Sequence, residues 1–145
     1  MGKSGKITYL KSLIYCVHHF TPYKMKISIN GEETEEEVIM VGVCNGIAIG
    51  GGMKLSPRSV INDNKMEVIS VRLPKSGNIM KALFGFVKGK HIDKEYTTCR
   101  VCDKVTVTPA EPQTVQIDGE LYDGMDFKCE LIKNGLRTFR TTGKK

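Results

Sequence analysis

Val115-Gln116-Ile117-Asp118-Gly119-Glu120-Leu121-Tyr122-Asp123-Gly124-Met125-Asp126-Phe127-Lys128-Cys129-Glu130-Leu131 is the stretch that decides the fold. Apolar and polar residues alternate along it with the two-residue period of a half-buried strand, and Asp-Gly pairs interrupt it where positive φ is tolerated. The stretch reads as a hairpin, and its register follows from asking each strand to hold its apolar residues on one face. A two-residue loop at Asp123-Gly124 fails, because it pairs Tyr122 with Met125 and sets Asp118 and Glu120 on the face of Phe127 and Cys129. A three-residue loop, Tyr122-Asp123-Gly124, pairs Leu121 with Met125, Gly119 with Phe127 and Ile117 with Cys129, so the apolar residues agree. Asp118 and Glu120 then project together from the opposite face, with Glu120 across from Asp126. Like charges at that range disfavour double ionisation, which suits one of them to serve as a base. The alternative is that Asp118-Gly119 is itself the turn and both acids are solvated.

The same alternation recurs upstream. Met25, Ile27 and Ile29 alternate with Lys24, Lys26 and Ser28, and Asn30-Gly31 supplies a tight turn. Val38 to Cys44 is a β-branched apolar run, read as one strand buried on both faces. Ile69, Val71 and Leu73 form another strand that Pro74 ends, and Val105 and Val107 a further one. Two helical patterns interrupt the strands. Ile7, Leu10, Leu13, Ile14 and Val17 share one stripe before Pro22, and Ile79, Met80, Leu83, Phe84 and Val87 share another before Gly89. The expected fold is mainly β (α+β): a single domain over residues 1–145, built as a two-layer antiparallel β-sandwich with two helices.

Hydrophobic residues make up 40% and charged residues 26% of the chain, proportions that argue against disorder. No apolar run reaches the ~18 residues of a membrane span, and no secretory signal precedes Lys11, so the expected address is cytoplasmic. Five cysteines without an export signal suggest free thiols. The net charge of +6 understates the basic surface, because Glu32, Glu33, Glu35, Glu36 and Glu37 concentrate the acid in one stretch. Such a field attracts anionic head groups, nucleotide phosphates or nucleic acid.

Several motifs carry little chemistry. Cys99-Arg100-Val101-Cys102 is a lone CxxC, and on a strand its two thiols point to opposite faces. Phe84-Gly85-Phe86-Val87 imitates the centre of an RNA-recognition strand, but its periodicity is helical and its flanking residues do not match. His18 and His19 suit the end of a helix. Gly50-Gly51-Gly52 lacks the GK[ST] ending of a Walker loop. The glycines do belong to a long shaped loop from Asn45 to Asp63, and long ordered loops usually carry function.

Taken in order, Gly5-Lys6-Ile7-Thr8-Tyr9, Asn45 with Gly50-Gly51-Gly52, Pro57, Asn62-Asp63 and Ile117-Asp118-Gly119-Glu120 resemble the C-terminal half of bacterial lipid kinases of the diacylglycerol and sphingosine kinase type. The resemblance implies an acceptor-side domain whose N-terminal partner domain binds ATP through a GGDGT motif, which does not occur here. It implies that Asp118 and Glu120 are the catalytic carboxylates that deprotonate and position a lipid hydroxyl attacking the γ-phosphate. Asn45, Gly50, Gly51 and Gly52 would line the substrate cleft. A structural Mg2+ would sit on Asp63 and the carbonyls of Val60 and Lys65; Asn64 stands where the family usually has glycine, and asparagine tolerates the left-handed turn. The implied partners are Mg2+-ATP, the lipid acceptor, the N-terminal domain and an anionic membrane at whose surface the protein is peripheral; nucleic acid is not expected, and a homodimer is left open. The competing reading is a non-enzymatic β-rich module that binds nucleic acid or protein.

Overall fold

Strand follows strand along the chain: β1 (Tyr23–Ile29), β2 (Glu32–Val38), β3 (Met40–Cys44), β4 (Met66–Val71), β5 (Thr97–Cys102), β6 (Lys104–Pro109), β7 (Gln113–Ile117), β8 (Glu120–Gly124) and β9 (Phe127–Glu130). The computed structural model describes residues 21–49, 52–75, 82, 84–86 and 88–137, so the expected first helix, with His18 and His19, lies outside the described residues. Of the second helix, residues 82 and 84–86 are described and are helical.

All strand pairs are antiparallel. They form a four-stranded sheet in the order β2-β1-β6-β9, a three-stranded sheet β3-β4-β5 and a two-stranded ribbon β7-β8. The first turn follows the sequence expectation: Asn30 and Gly31 both take positive φ, at 51° and 94°, and join β1 to β2. The acidic stretch is itself a strand, which its charge alone did not suggest. It forms because β1 offers lysines opposite it: Lys24 pairs with Glu37 and Lys26 with Glu35, and Lys26 Nζ lies 2.7 Å from Glu33. A charged edge strand also resists pairing with other chains.

The run from Val38 to Cys44 is not one strand. Val38 ends β2 in the larger sheet and Met40 begins β3 in the smaller one, and the Ile39 N–H donates to the Val71 carbonyl at 2.8 Å as the chain changes layers. The strand buried on both faces is β4. Met66 and Val68 point from it toward the larger sheet and pack with Ile27, Ile29, Val105 and Val107. Ile69 and Val71 point the other way and pack with Cys44, Leu55 and Ile92. The three-stranded sheet is thus the middle of the domain, with the four-stranded sheet on one side and the loop layer on the other. Gly42 of β3 permits that loop layer to sit close, since a Cβ there would come within 2.7 Å of Leu55 Cδ2. The CxxC divides as a strand requires: Cys99 packs on the loop-side cluster and Cys102 in the inter-sheet core.

Ion pairing centred on Glu36 ties the two sheets together. On β2 the side chains of Thr34, Glu36 and Val38 share the inward face with Met25 and Ile27, so Glu36 points its carboxylate into the sandwich edge. Arg100 of β5 meets it at 2.5 Å, donates to Thr34 Oγ1 at 2.7 Å, and leaves Arg72 at 3.8 Å from the second carboxylate oxygen. The Glu36 side chain is 11% exposed and Arg100 23%, so losing one partner strands a poorly solvated charge. Arg100→Ala should lower the unfolding free energy by about 2–3 kcal/mol. The double substitution Glu36→Leu/Arg100→Met should recover much of that loss in urea denaturation, whereas equal destabilisation of both proteins would show that the charge pairing is not the cause.

Candidate functional site

The Asp118-Gly119-Glu120 motif lies at the tip of the β7-β8 ribbon. Asp118 and Gly119 both take positive φ, 48° and 106°, as a two-residue primed hairpin turn requires, and Ile117 pairs directly with Glu120. This is the alternative reading, Asp118-Gly119 as the turn with both acids exposed, in place of the three-residue loop at Tyr122-Asp123-Gly124. Gln116 pairs with Leu121 and Val115 with Tyr122, while β9 leaves the ribbon and pairs with β6, Val105 opposite Cys129 and Val107 opposite Phe127. The apolar-face criterion misled because it treated residues 115–131 as one hairpin with one greasy face. Phe127 and Cys129 find apolar partners on β6 instead, and Ile117 and Leu121 stay 54% and 71% exposed. Asp126 does not face Glu120; it accepts a hydrogen bond from Thr108 at 2.7 Å.

Within the ribbon, side chains fix the acids locally. Glu120, Ile117, Val115 and Tyr122 share one face, and the Tyr122 hydroxyl donates to Glu120 Oε2 at 2.7 Å. That bond raises the Tyr122 pKa above its ordinary value, so the phenol keeps its proton and holds one oxygen of Glu120 in place. Across the strands, Thr114 Oγ1 donates to Asp123 Oδ1 at 2.5 Å. Sequence reasoning missed Tyr122; its two-residue spacing from Glu120 on a strand was the available signal.

The expected cleft loop is irregular, as anticipated, with an isolated bridge between Ile49 and Met53. Asn45 is exposed at its start, and Gly52 has a φ of +85°; Gly50 and Gly51 lie outside the described residues. Polar ties hold the loop to the middle sheet through Glu67 and to the segment before β5 through His91 and Asp93. Glu67 on β4 accepts the hydroxyls of Ser56 and, at 3.1 Å, Ser59. The buried His91 has Nε2 2.9 Å from the Leu55 carbonyl, so Nε2 carries the proton and donates, and its ring lies 4.5 Å from that of Phe86. Arg58 pairs with Asp93 at 2.5 Å on the surface. Among the described residues no hydrogen bond or ion pair joins this loop to the Asp118 ribbon.

Farther along the loop, the Asp63 N–H donates to the Val60 carbonyl at 3.3 Å and the Lys65 N–H to Asp63 Oδ1 at 3.0 Å. Asn64 takes a φ of 59°, so the left-handed turn forms with asparagine in place of glycine. Among the described residues no three His, Cys, Asp or Glu side chains cluster to hold a metal. An ion here would rest on one carboxylate and main-chain oxygens, a donor set that fits Mg2+, which keeps several waters.

The residues 2–139 match the family described as the YegS C-terminal NAD kinase beta sandwich-like domain. The chain belongs to this family. A "Probable lipid kinase YegS-like" from Alcanivorax borkumensis is 28% identical over 116 residues, which cover 77% of this chain and 38% of that protein. The diacylglycerol kinase of Bacillus subtilis is 22% identical over 121 residues, 83% of this chain and 40% of that one. A crystal structure of a diacylglycerol kinase from Bacillus anthracis str. Sterne superposes with a TM-score of 0.63 at 18% identity, over 82% of this chain and 43% of that chain. A second crystal structure from the same strain gives 0.67 at 23% identity, over 88% and 42%. The likeness to these structures is one of fold. The chain spans about two fifths of the length of the curated relatives it matches, and the described residues contain no helix long and apolar enough to cross a membrane.

In this YegS-type domain the His91 tie is the pH-sensitive one. Burial pushes its pKa below the ordinary 6.5, against the opposing pull of the Leu55 carbonyl. The unfolded chain therefore binds the proton more readily, so stability is intact above pH 6.5 and falls as pH drops below it. Urea midpoints measured from pH 7.5 down to 5 should fall more steeply for the native protein than for His91→Met. Parallel slopes would remove His91 as the cause.

Proposed function

We propose that this domain supplies the acceptor side of a lipid kinase, in which a hydroxyl lipid of the diacylglycerol type takes the γ-phosphate of ATP. One observation carries the reading: in a member of a family whose relatives are named lipid kinases, the Asp118-Gly119-Glu120 motif stands at an exposed turn where both carboxylates are accessible. Asp118 is the proposed base. Its carboxylate accepts the proton of the lipid hydroxyl as that oxygen attacks the γ-phosphorus and the bond to the β-phosphate oxygen breaks, leaving ADP and a phosphorylated lipid. Glu120, held by Tyr122, is the proposed second catalytic carboxylate, helping to position the same hydroxyl, whose one proton goes to Asp118.

The ATP site belongs, on this reading, to an N-terminal domain that completes the cleft, and this domain by itself is inactive. A Cβ built at Gly119 would meet nothing within 4 Å, so the tip of the ribbon leaves room for a second domain or a lipid head group. Asn45 and the glycines at 50–52 are the proposed lining of the acceptor cleft. Asp63 with the carbonyls of Val60 and Lys65 is the proposed Mg2+ position, where the ion would neutralise charge and brace the loop. Peripheral attachment to an anionic leaflet would bring the acceptor within reach.

In an enzyme comprising this domain and its ATP-binding half, Asp118→Asn should reduce transfer of labelled γ-phosphate to diacylglycerol by about 10²–10⁴-fold. Circular dichroism and the thermal midpoint should be unchanged. Turnover retained by Asp118→Asn would overturn the assignment of the base. The 145-residue chain assayed alone should give no transfer.

A further inference from the structure

The loop layer carries a basic surface that the phosphoryl-transfer reading does not use. Loop residues 53–58 meet the turn after the second helix at Gly89: a Cβ built there would lie 3.1 Å from Lys54 Cβ and 3.2 Å from Pro57 Cβ. This contact gathers Lys54, Lys88 and Lys90, all exposed, from two separate segments. The second segment is held by its own backbone bonds, the Lys88 N–H to the Phe84 carbonyl at 3.3 Å and the Lys90 N–H to the Gly85 carbonyl at 2.7 Å. Exposed apolar side chains flank the lysines: Phe84 at 60%, and Ile47 and Ile49 at 46% and 41% on the loop that the Ile49–Met53 bridge closes next to Lys54.

The acids of this layer are fewer than its cations and most are engaged: Glu67 takes the hydroxyls of Ser56 and Ser59, Asp93 pairs with Arg58, and Asp63 binds the Lys65 N–H, which leaves Glu95 next to Lys94 in the chain. The acidic strand β2 belongs to the four-stranded sheet, on the other side of the middle sheet, and Asp118, Glu120 and Asp123 sit on the β7-β8 ribbon. Among the described residues basic and acidic side chains nearly balance, so it is their separation between layers that would turn this layer toward a planar anionic surface.

We infer that Lys54, Lys88 and Lys90, with the exposed Phe84 and Ile49 of the same two segments, form the face by which the protein docks on an anionic lipid bilayer. The lysines supply the attraction to head groups, and the exposed apolar side chains gain by entering the boundary between head groups and acyl chains. Soluble phosphate would use the cations and leave the apolar residues in water, which is why the bilayer is the better match. The inference rests on the lipid-kinase reading for its purpose, and it specifies which surface presents the acceptor loop to the leaflet.

Sedimentation of the full chain with vesicles tests it. Phosphatidylcholine vesicles containing phosphatidylglycerol should bind the protein, pure phosphatidylcholine should not, and binding should weaken as sodium chloride is raised. Lys54→Gln/Lys88→Gln/Lys90→Gln should weaken partitioning by about fivefold per lysine, on the order of a hundredfold in total. Lys24→Gln/Lys128→Gln/Lys133→Gln, an equal charge change elsewhere, should have a much smaller effect. Phe84→Ser should weaken binding while leaving its salt dependence in place, with an unchanged thermal midpoint as the control for folding. Inorganic phosphate at matched ionic strength should displace no more protein than sodium chloride does. The proposal is overturned if the two lysine triples behave alike, if anionic vesicles fail to bind, or if duplex DNA binds in preference to vesicles. Vesicle binding is read without ATP or acceptor, so this face and the kinase reading fail in different assays.

Discussion

The fold depends on burying both faces of β4. Val68 and Ile69 are neighbours in sequence, point in opposite directions, and are each fully buried. Each such side chain contributes roughly 1.5–3 kcal/mol on leaving water, and together they require cover on two sides. The four-stranded sheet covers one side through Ile27, Ile29, Val105 and Val107. Leu55 and Ile92 cover the other, which obliges the irregular segment after β3 to lie down on the sheet as a third layer. The layer that holds the expected cleft loop is thus a consequence of the hydrophobic demand of one strand.

Polar ties then set where that layer sits. Glu67 faces the loop side from the same strand and takes the hydroxyls of Ser56 and Ser59, while His91 holds Leu55 by its main chain. On the inter-sheet side, Arg100 fastens the acidic edge strand to the middle sheet through Glu36. The loop layer and the acidic strand are therefore anchored to opposite faces of one sheet, and this separation gives the protein a basic side and an acidic side. The Asp118 ribbon is anchored differently: its order comes from the primed turn and from short cross-strand bonds such as Tyr122 to Glu120.

Much of the fold was legible in the sequence. The Asn30-Gly31 turn, the alternation of Ile27 and Ile29, the opposed faces of Cys99 and Cys102 and the irregular loop after Asn45 all follow from two-residue periodicity and turn chemistry. The strand character of Glu32–Val38 was hidden, because its stability comes from lysines on β1 that lie nearby in space only after the turn forms. Ile39 as a crossing point was hidden too, since an apolar run carries no mark of a change of layer. The candidate acids were found and the turn at Asp118-Gly119 stood as the alternative reading, but the favoured register failed: Phe127 and Cys129 pair with Val107 and Val105 of β6, far upstream in the chain, and local alternation cannot report a nonlocal pair. Tyr122 as the partner of Glu120 followed from the same register and was missed with it.

The central claim is that the chain reverses at Asp118-Gly119, so that the two acids flank the tip of the ribbon. Nuclear Overhauser contacts across the ribbon measure this directly in solution. The account predicts contacts of Ile117 with Glu120 and of Val115 with Tyr122, together with contacts of Phe127 with Val107. Contacts of Leu121 with Met125 and of Ile117 with Cys129 would contradict it.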